Sequence, residues 1–274
     1  MSDSARALQE AELTAEEIDK ILRTCGPHAL LVGGQALATW AVYYGVQPVG
    51  ELSHAVTTDA DFIGTRDIAR ALQRQLGEPW KVREGTLDDA GGQVAKVYAT
   101  VAEEGIKQVD FLSGIVGLNT QTVRERASKL VLADGIVIHV LHPLDVLESR
   151  LSNLASLSSK QNPIGVEQAR LAASVVRAFI ENHMDAGGDP RIVRQAIKRI
   201  ENMALDTRLS QVAFTYDIDV LAAVPVERIA HPRFHEQQWP RVLQRLERKR
   251  EKFAALQTRR VTLRQRRTTS VHKK

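Results

Sequence analysis

The sequence predicts an α+β protein: a mixed sheet with flanking helices to about residue 142, then an all-helical part. Three observations predict it. Short apolar runs bounded by Gly, Pro and polar residues alternate with helical stripes up to Leu141. Strand signals stop after Pro143. Helical periodicity then runs through 144–158, 165–183, 190–204 and 236–257, with a weaker stretch at 207–222. The resulting divisions are 1–142, 143–258 and a basic tail at 259–274, low in apolar residues and expected to fray.

The elements follow in order. Thr14 with Glu17 forms a capping box ahead of Ile18, Ile21 and Leu22, so a helix is expected over 14–25. His28 to Val32 is a buried strand ending at Gly33-Gly34, and Gln35 to Tyr44 resumes a helix. Gly45 to Thr57 is a loop, and 59–63 a second strand. Thr65 to Leu76 is amphipathic, with Gly77 as its stop. Asp88 to Gly92 is a loop. Val94 to Val101 and Ile106 to Leu112 read as a hairpin turned at Glu103-Glu104-Gly105. Ile136 to Leu141 is the last strand.

Charge is uneven. Residues 241–274 hold 13 Lys/Arg and 2 Glu, whereas the other 240 residues hold 24 basic and 31 acidic groups. A tail so basic is suited to a phosphate backbone, or serves only to solubilise. No apolar run approaches ~18 residues, so no membrane span is expected. Met1 to Thr14 has neither the basic nor the apolar region of a signal peptide. Cys25, the single cysteine, cannot pair within the chain, which fits a cytoplasmic protein.

Three features carry chemistry together. Gly33-Gly34 lies between strand and helix, where backbone can approach a ligand and a helix N-terminus offers N–H groups to phosphate. Asp59 and Asp61 alternate along a strand, so both carboxylates share a face about 6.5–7 Å apart. Such like charges persist most easily around a cation, and magnesium suits carboxylate and phosphate oxygens. Asp110 stands in the apolar run Ile106 to Leu112, where a carboxylate needs a partner or a metal. Singly, each has a plain alternative: a tight turn, a polar strand end, and an aspartate paired to Lys96 or Lys107. Jointly they suffice for two-metal phosphoryl transfer.

Other motifs fail. From Asp59, an EF-hand would need a carboxylate at Arg70. Neither Gly-x-x-x-x-Gly-Lys nor Gly-x-Gly-x-x-Gly is present. His139 with His142, and His231 with His235, lack a third zinc ligand. Trp40, Tyr43 and Tyr44 fit core packing better than base stacking. Arg150, Asn153 and Lys160 are polar points on the first helix after Pro143, with surface exposure expected.

The run Leu31-Val32-Gly33-Gly34, then Thr57-Thr58-Asp59-Ala60-Asp61-Phe62, then Val109-Asp110-Phe111 resembles the DNA polymerase beta-type nucleotidyltransferase superfamily. Within it, the chain is similar to small bacterial AbiEii-like proteins related to abortive-infection toxins. Leu141 to Arg150 looks like the linker into their helical domain. The resemblance implies a nucleotidyltransferase-type sheet over 28–142 and an NTP as substrate. It implies Asp59, Asp61 and Asp110 as catalytic ligands of Mg²⁺ (or Mn²⁺), and Gly33 and Gly34 at the nucleotide phosphates. Gln35 at the helix start and Lys96 join that nucleotide-binding set. The acceptor is an RNA such as tRNA, steered by the basic tail, or a protein or small molecule. A toxin–antitoxin or phage-defence setting, with a cognate antitoxin as partner, follows from the same resemblance. The alternative is a non-catalytic nucleotide-binding partner protein of the same fold. Two departures stand out: 24 residues separate Gly34 from Asp59, and Ala55 or Val56 occupies the place of a basic residue frequent in relatives. Lys96 is the candidate to replace that charge, because alternation puts Lys107 and Asp110 on opposite faces of one strand.

Overall fold

The computed structural model describes residues 11–47, 59–86, 92–101 and 105–271, with side-chain surroundings to residue 259. The loops expected at Gly45–Thr57 and Asp88–Gly92, the Glu103-Glu104 turn, and Ala55 to Thr58 fall wholly or partly outside these residues. The chain divides into two compact units, 1–179 and 180–274.

The first unit is built on a seven-stranded mixed sheet. Its strands are β1 (Leu30–Val32), β2 (Ala60–Ile63), β3 (Lys81–Glu84), β4 (Gln93–Val101), β5 (Gly105–Leu112), β6 (Ser128–Val131) and β7 (Val137–Val140), in the order β3-β4-β5-β2-β1-β7-β6. β2 runs parallel to β5 and antiparallel to β1, and β1 runs parallel to β7. The expected hairpin forms as β4–β5, with Lys96 opposite Asp110.

Local chemistry explains the helices. α1 (Ala15–Cys25) starts at the Thr14–Glu17 capping box. α2 (Gly33–Tyr44) follows β1 without an intervening residue, and its N-cap, Val32, supplies no side-chain bond. α3 (Arg66–Leu76) is capped by Thr65 and stopped at Gly77. α4 (Thr120–Glu125) is a short helix capped by Asn119. α5 (Pro143–Ser156) begins with Pro at its first position and is almost wholly buried. It lies within the sheet-bearing compact unit, which runs to Phe179.

Alternation sorts the sheet into two faces. In β5, Lys107, Val109 and Phe111 are buried, while Gln108 and Asp110 are partly exposed on the other side. Phe111 stacks on Phe62 at 5.8 Å, and Lys107 Nζ donates to Glu17 Oε2 of α1 at 3.0 Å. The core thus sits beneath α1 and α3, and Asp61 and Asp110 lie on the other, partly exposed face of β2 and β5. On α2, Trp40 is 3% exposed and donates from Nε1 to Leu141 O at 2.7 Å, so it belongs to the core. Tyr43 is exposed.

α6 (Pro163–Asp185) carries the chain into the second unit. There α7 (Pro190–Leu205), α8 (Thr207–Thr215) and α9 (Trp239–Val271) pack on Ile197, Ile200, Met203, Leu209, Phe234 and Val242. α9 runs as far as Val271, within the basic segment. Its Arg, Lys, Gln and Leu are good helix formers and no Gly or Pro interrupts it after Pro240. Among the described residues no single helix is long and apolar enough to cross a membrane.

Candidate functional site

β1 enters α2 through Gly33, whose φ of 66° is the left-handed conformation that glycine alone adopts without strain. A Cβ built there would overlap the Asp61 carboxylate. The reason is register: Val32 pairs with Asp61 across β1 and β2, so the turn folds directly over that side chain. Gly34 is buried behind it and Gln35 is half-buried in the same first turn. That turn contains no acidic residue, so the positive end of the helix faces no carboxylate of its own.

Asp61 and Asp110 are register partners on the parallel strands β2 and β5, which directs both carboxylates to one face. Asp59 lies in the bend before β2, not within the strand as alternation had it. One carboxylate oxygen from each of Asp59, Asp61 and Asp110 lies within 4.8 Å of the others.

The electrostatics are strained by design of the sequence. Asp61 is pushed up to about 7 by burial and by the charges of Asp59 and Asp110, against a smaller pull from Arg150 and Lys160. Burial also raises Asp110, opposed chiefly by Lys96. Lys96 Nζ stands 3.5 Å from Asp110 Oδ1 and donates to Gln108 Oε1 at 2.8 Å. Gln93 Nε2 donates to Asp110 Oδ1 at 2.6 Å and accepts from Arg83 Nη2 at 2.9 Å. A polar strip across β3, β4 and β5 therefore converges on Asp110. Lys107 lies on the opposite face with Glu17, as alternation requires.

The structure adds a group that sequence reasoning had left on the surface. Arg150 of α5 is 6% exposed. Its Nη1 donates to Gln168 Oε1 at 3.0 Å, and its Nε is buried with no hydrogen-bond partner. Burial lowers its affinity for a proton while the charges of Asp61 and Asp59 raise it, so this guanidinium lies within electrostatic reach of the acidic cluster. A signal was present: positions 147, 150, 151 and 154 form the apolar stripe of α5, and Arg150 occupies one of them. Lys160, in a short 3₁₀ turn after α5, also acts on Asp61.

The donor set fits a hard divalent cation. It is all oxygen and anionic, and its oxygens, within 4.8 Å of one another, match the scale of the ~4.2 Å across one magnesium ion. A cation there would also remove the repulsion that raises Asp61. Neither histidine pair is built for a metal: His139 Nδ1 lies 3.2 Å from Gly26 O, His142 caps α5, and His235 Nε2 meets Ile229 O.

No known family matches the chain, and no curated protein does. Among solved structures, JHP933 from Helicobacter pylori is similar at 11% identity, covering 92% of this chain and 100% of its own, with a TM-score of 0.33. A candidate nucleotidyltransferase from H. pylori is similar at 12% identity, covering 88% and 95%, with a TM-score of 0.30. Likeness at this level decides neither family nor activity.

Proposed function

We propose that the protein is a Mg²⁺-dependent nucleotidyltransferase that moves an NMP from an NTP to an acceptor hydroxyl. The observation that supports this reading most is the convergence of Asp59, Asp61 and Asp110 beside a glycine turn that opens a helix. Bound by these three carboxylates, divalent ions would lower the pKa of the attacking hydroxyl and neutralise charge on the leaving pyrophosphate.

The chain's own residues do the rest. Gly33 and Gly34 let the triphosphate approach the backbone, and the first-turn N–H groups of α2, including that of Gln35, meet its oxygens. Arg150, with its free Nε, supplies a buried positive charge to the same phosphates. Asp110, held by Gln93 and Lys96, takes the proton of the acceptor hydroxyl. The hydroxyl oxygen bonds to the α-phosphorus, the bond to the bridging oxygen of the β-phosphate breaks, and pyrophosphate leaves with that oxygen. The AbiEii-like resemblance adds an RNA hydroxyl, such as a tRNA 3′ end, as acceptor and a cognate antitoxin as partner.

Incubation with each α-labelled NTP, Mg²⁺ and total RNA tests the proposal. Label transfer that disappears in Asp59→Asn and Asp110→Asn supports it. NTP binding without transfer to any acceptor favours the nucleotide-sensing alternative, and absence of both metal and NTP binding refutes the two together.

A further inference from the structure

The second unit carries a charged surface that the acidic site does not use. Along α7, Arg191, Arg194 and Lys198 recur once per turn on one exposed face. Two adjoining hollows, of about 470 and 400 Å³, meet at Lys198. The first follows α7; the second is closed on its other side by Arg233 and by Arg241 and Arg245 of α9. Among the described residues, Arg191, Arg194, Arg233, Arg241 and Arg245 have no ion pair. The single acid of the lining, Glu201, is 3% exposed, accepting from Gln238 at 2.8 Å and lying 3.5 Å from Lys198 Nζ. The groove therefore presents a row of cations with almost no opposing charge.

We propose that this groove binds the sugar–phosphate backbone of a single-stranded RNA. The cations extend over two adjoining hollows and two helices, a spread that suits an extended polyanion better than one small anion. From Arg191 to Lys198 the row covers about 10 Å of helix, at roughly 5.4 Å per turn, the scale on which successive phosphates recur along a strand. Gln195, Asn202 and Gln237 stand among the cations and offer amide donors and acceptors to ribose hydroxyls. The lining is recessed between Lys198 of α7 and Arg241 and Arg245 of α9, a shape into which a single strand can lie. An acidic protein would call for an apolar, aromatic centre, and a membrane for an apolar face. Among the described residues, the large apolar side chains exposed on these helices are Ile192, Leu243 and Leu256, and none of them lines either hollow. Positive charge continues from the groove along α9, since residues 241–259 hold seven Lys/Arg against two Glu.

The inference stands apart from the acidic site and is tested without nucleotide or metal. Fluorescence anisotropy of a labelled RNA strand about 12 nucleotides long, in EDTA, gives affinity as a function of salt. Arg191→Glu with Arg194→Glu places acidic groups in the first two turns of α7, near the positive end of the helix dipole, and leaves the Lys198–Glu201 pair intact. This full-length variant should bind at least about tenfold more weakly at 0.1 M salt, with a salt slope shallower by about 1.4, or ~0.7 per lost phosphate contact. Arg241→Gln with Arg245→Gln, from the other wall, should lose affinity in the same sense. Circular dichroism melts of both pairs should match the wild type. Reversal of Arg260, Arg264 and Arg267 in the tail is the comparator. Loss in the tail variant with none in the groove variants overturns the assignment. A DNA strand of the same sequence, an acidic polypeptide or anionic vesicles binding as tightly as the RNA overturns the choice of partner.

Discussion

Replacing Asp61 by Asn should make the metal-free protein more stable while removing its metal site. Asp61 ionises near 7 in the fold, against 3.8 for a free aspartate. One pKa unit corresponds to about 1.36 kcal/mol, so the ionised carboxylate destabilises the metal-free fold by about 4 kcal/mol at pH 8. That figure already contains the attraction to Arg150 and Lys160 that Asn forgoes, because both act on the same titration. The folded state binds this proton more tightly than the unfolded chain between pH 4 and 7. The group's contribution is therefore full below about 4 and is lost as pH rises through 7. Urea melts in EDTA should give wild type about 3 kcal/mol more stability from this group at pH 5 than at pH 8. Asp61→Asn should lack that gain and should already be more stable at pH 8. Mn²⁺ titrations followed by electron paramagnetic resonance should show binding in wild type, weakening below pH 7 as protons compete, and none in the variant. An Asn variant that is no more stable in EDTA, or that binds Mn²⁺ like wild type, refutes the reasoning.

Further outcomes follow from neighbouring residues. Gly33→Ala should lower stability by about 1–3 kcal/mol, from a left-handed φ and a clash with Asp61, and should weaken Mn²⁺ binding at least tenfold by calorimetry. Arg150→Met should split the ligands: Mn²⁺ alone binds as well or better once a nearby cation is gone, whereas NTP with Mn²⁺ binds about tenfold more weakly. Lys107→Ala, on the far face, should cost about 1 kcal/mol in urea melts by leaving half-buried Glu17 with its Thr14 bond alone, with Mn²⁺ affinity unchanged. Its partner Glu17 is held below the usual carboxylate range by its Thr14 and Lys107 bonds against the opposing effect of burial. The pair's contribution is present above about pH 4.5 and lost as pH falls through the folded value, so the same variant should flatten the acid limb of a stability–pH curve.

The sequence carried most of the scaffold because its strong periodicities and caps are local. The Thr14 box, Gly77 stop and Pro143 start all form where their chemistry places them. β3, α4 and β6 escaped notice for physical reasons. Lys81–Glu84 is a polar edge strand, Ser128–Val131 is a four-residue edge strand, and Thr120–Glu125 is barely more than a turn of helix. The three acidic residues were legible as a set from spacing, yet their meeting depended on β2 and β5 lying side by side in parallel, a pairing no local pattern encodes. Arg150 was harder still: a charged residue in an apolar stripe reads as surface until the stripe proves to be buried almost throughout.

The acidic cluster and Arg150 make more sense together than apart. A fold selected for stability alone would not hold three carboxylates within 4.8 Å at a half-buried point, because each raises the energy of the others. Nor would it bury a guanidinium with its Nε unpaired, since such a donor loses its water without a replacement. Direct pairing of the two would cancel both defects, yet Arg150 is spent on Gln168, and Asp110 on Gln93 and Lys96. What remains unsatisfied is negative charge on one side and a donor on the other. A lone cation would relieve the first only, and a lone anion the second only. A metal-bound polyphosphate brings both signs at once, so a measurable coupling between Mn²⁺ and NTP binding, lost in Arg150→Met, is what this arrangement demands. Additive binding of the two ligands in the wild type would mean that the buried arginine and the acidic cluster serve separate ends.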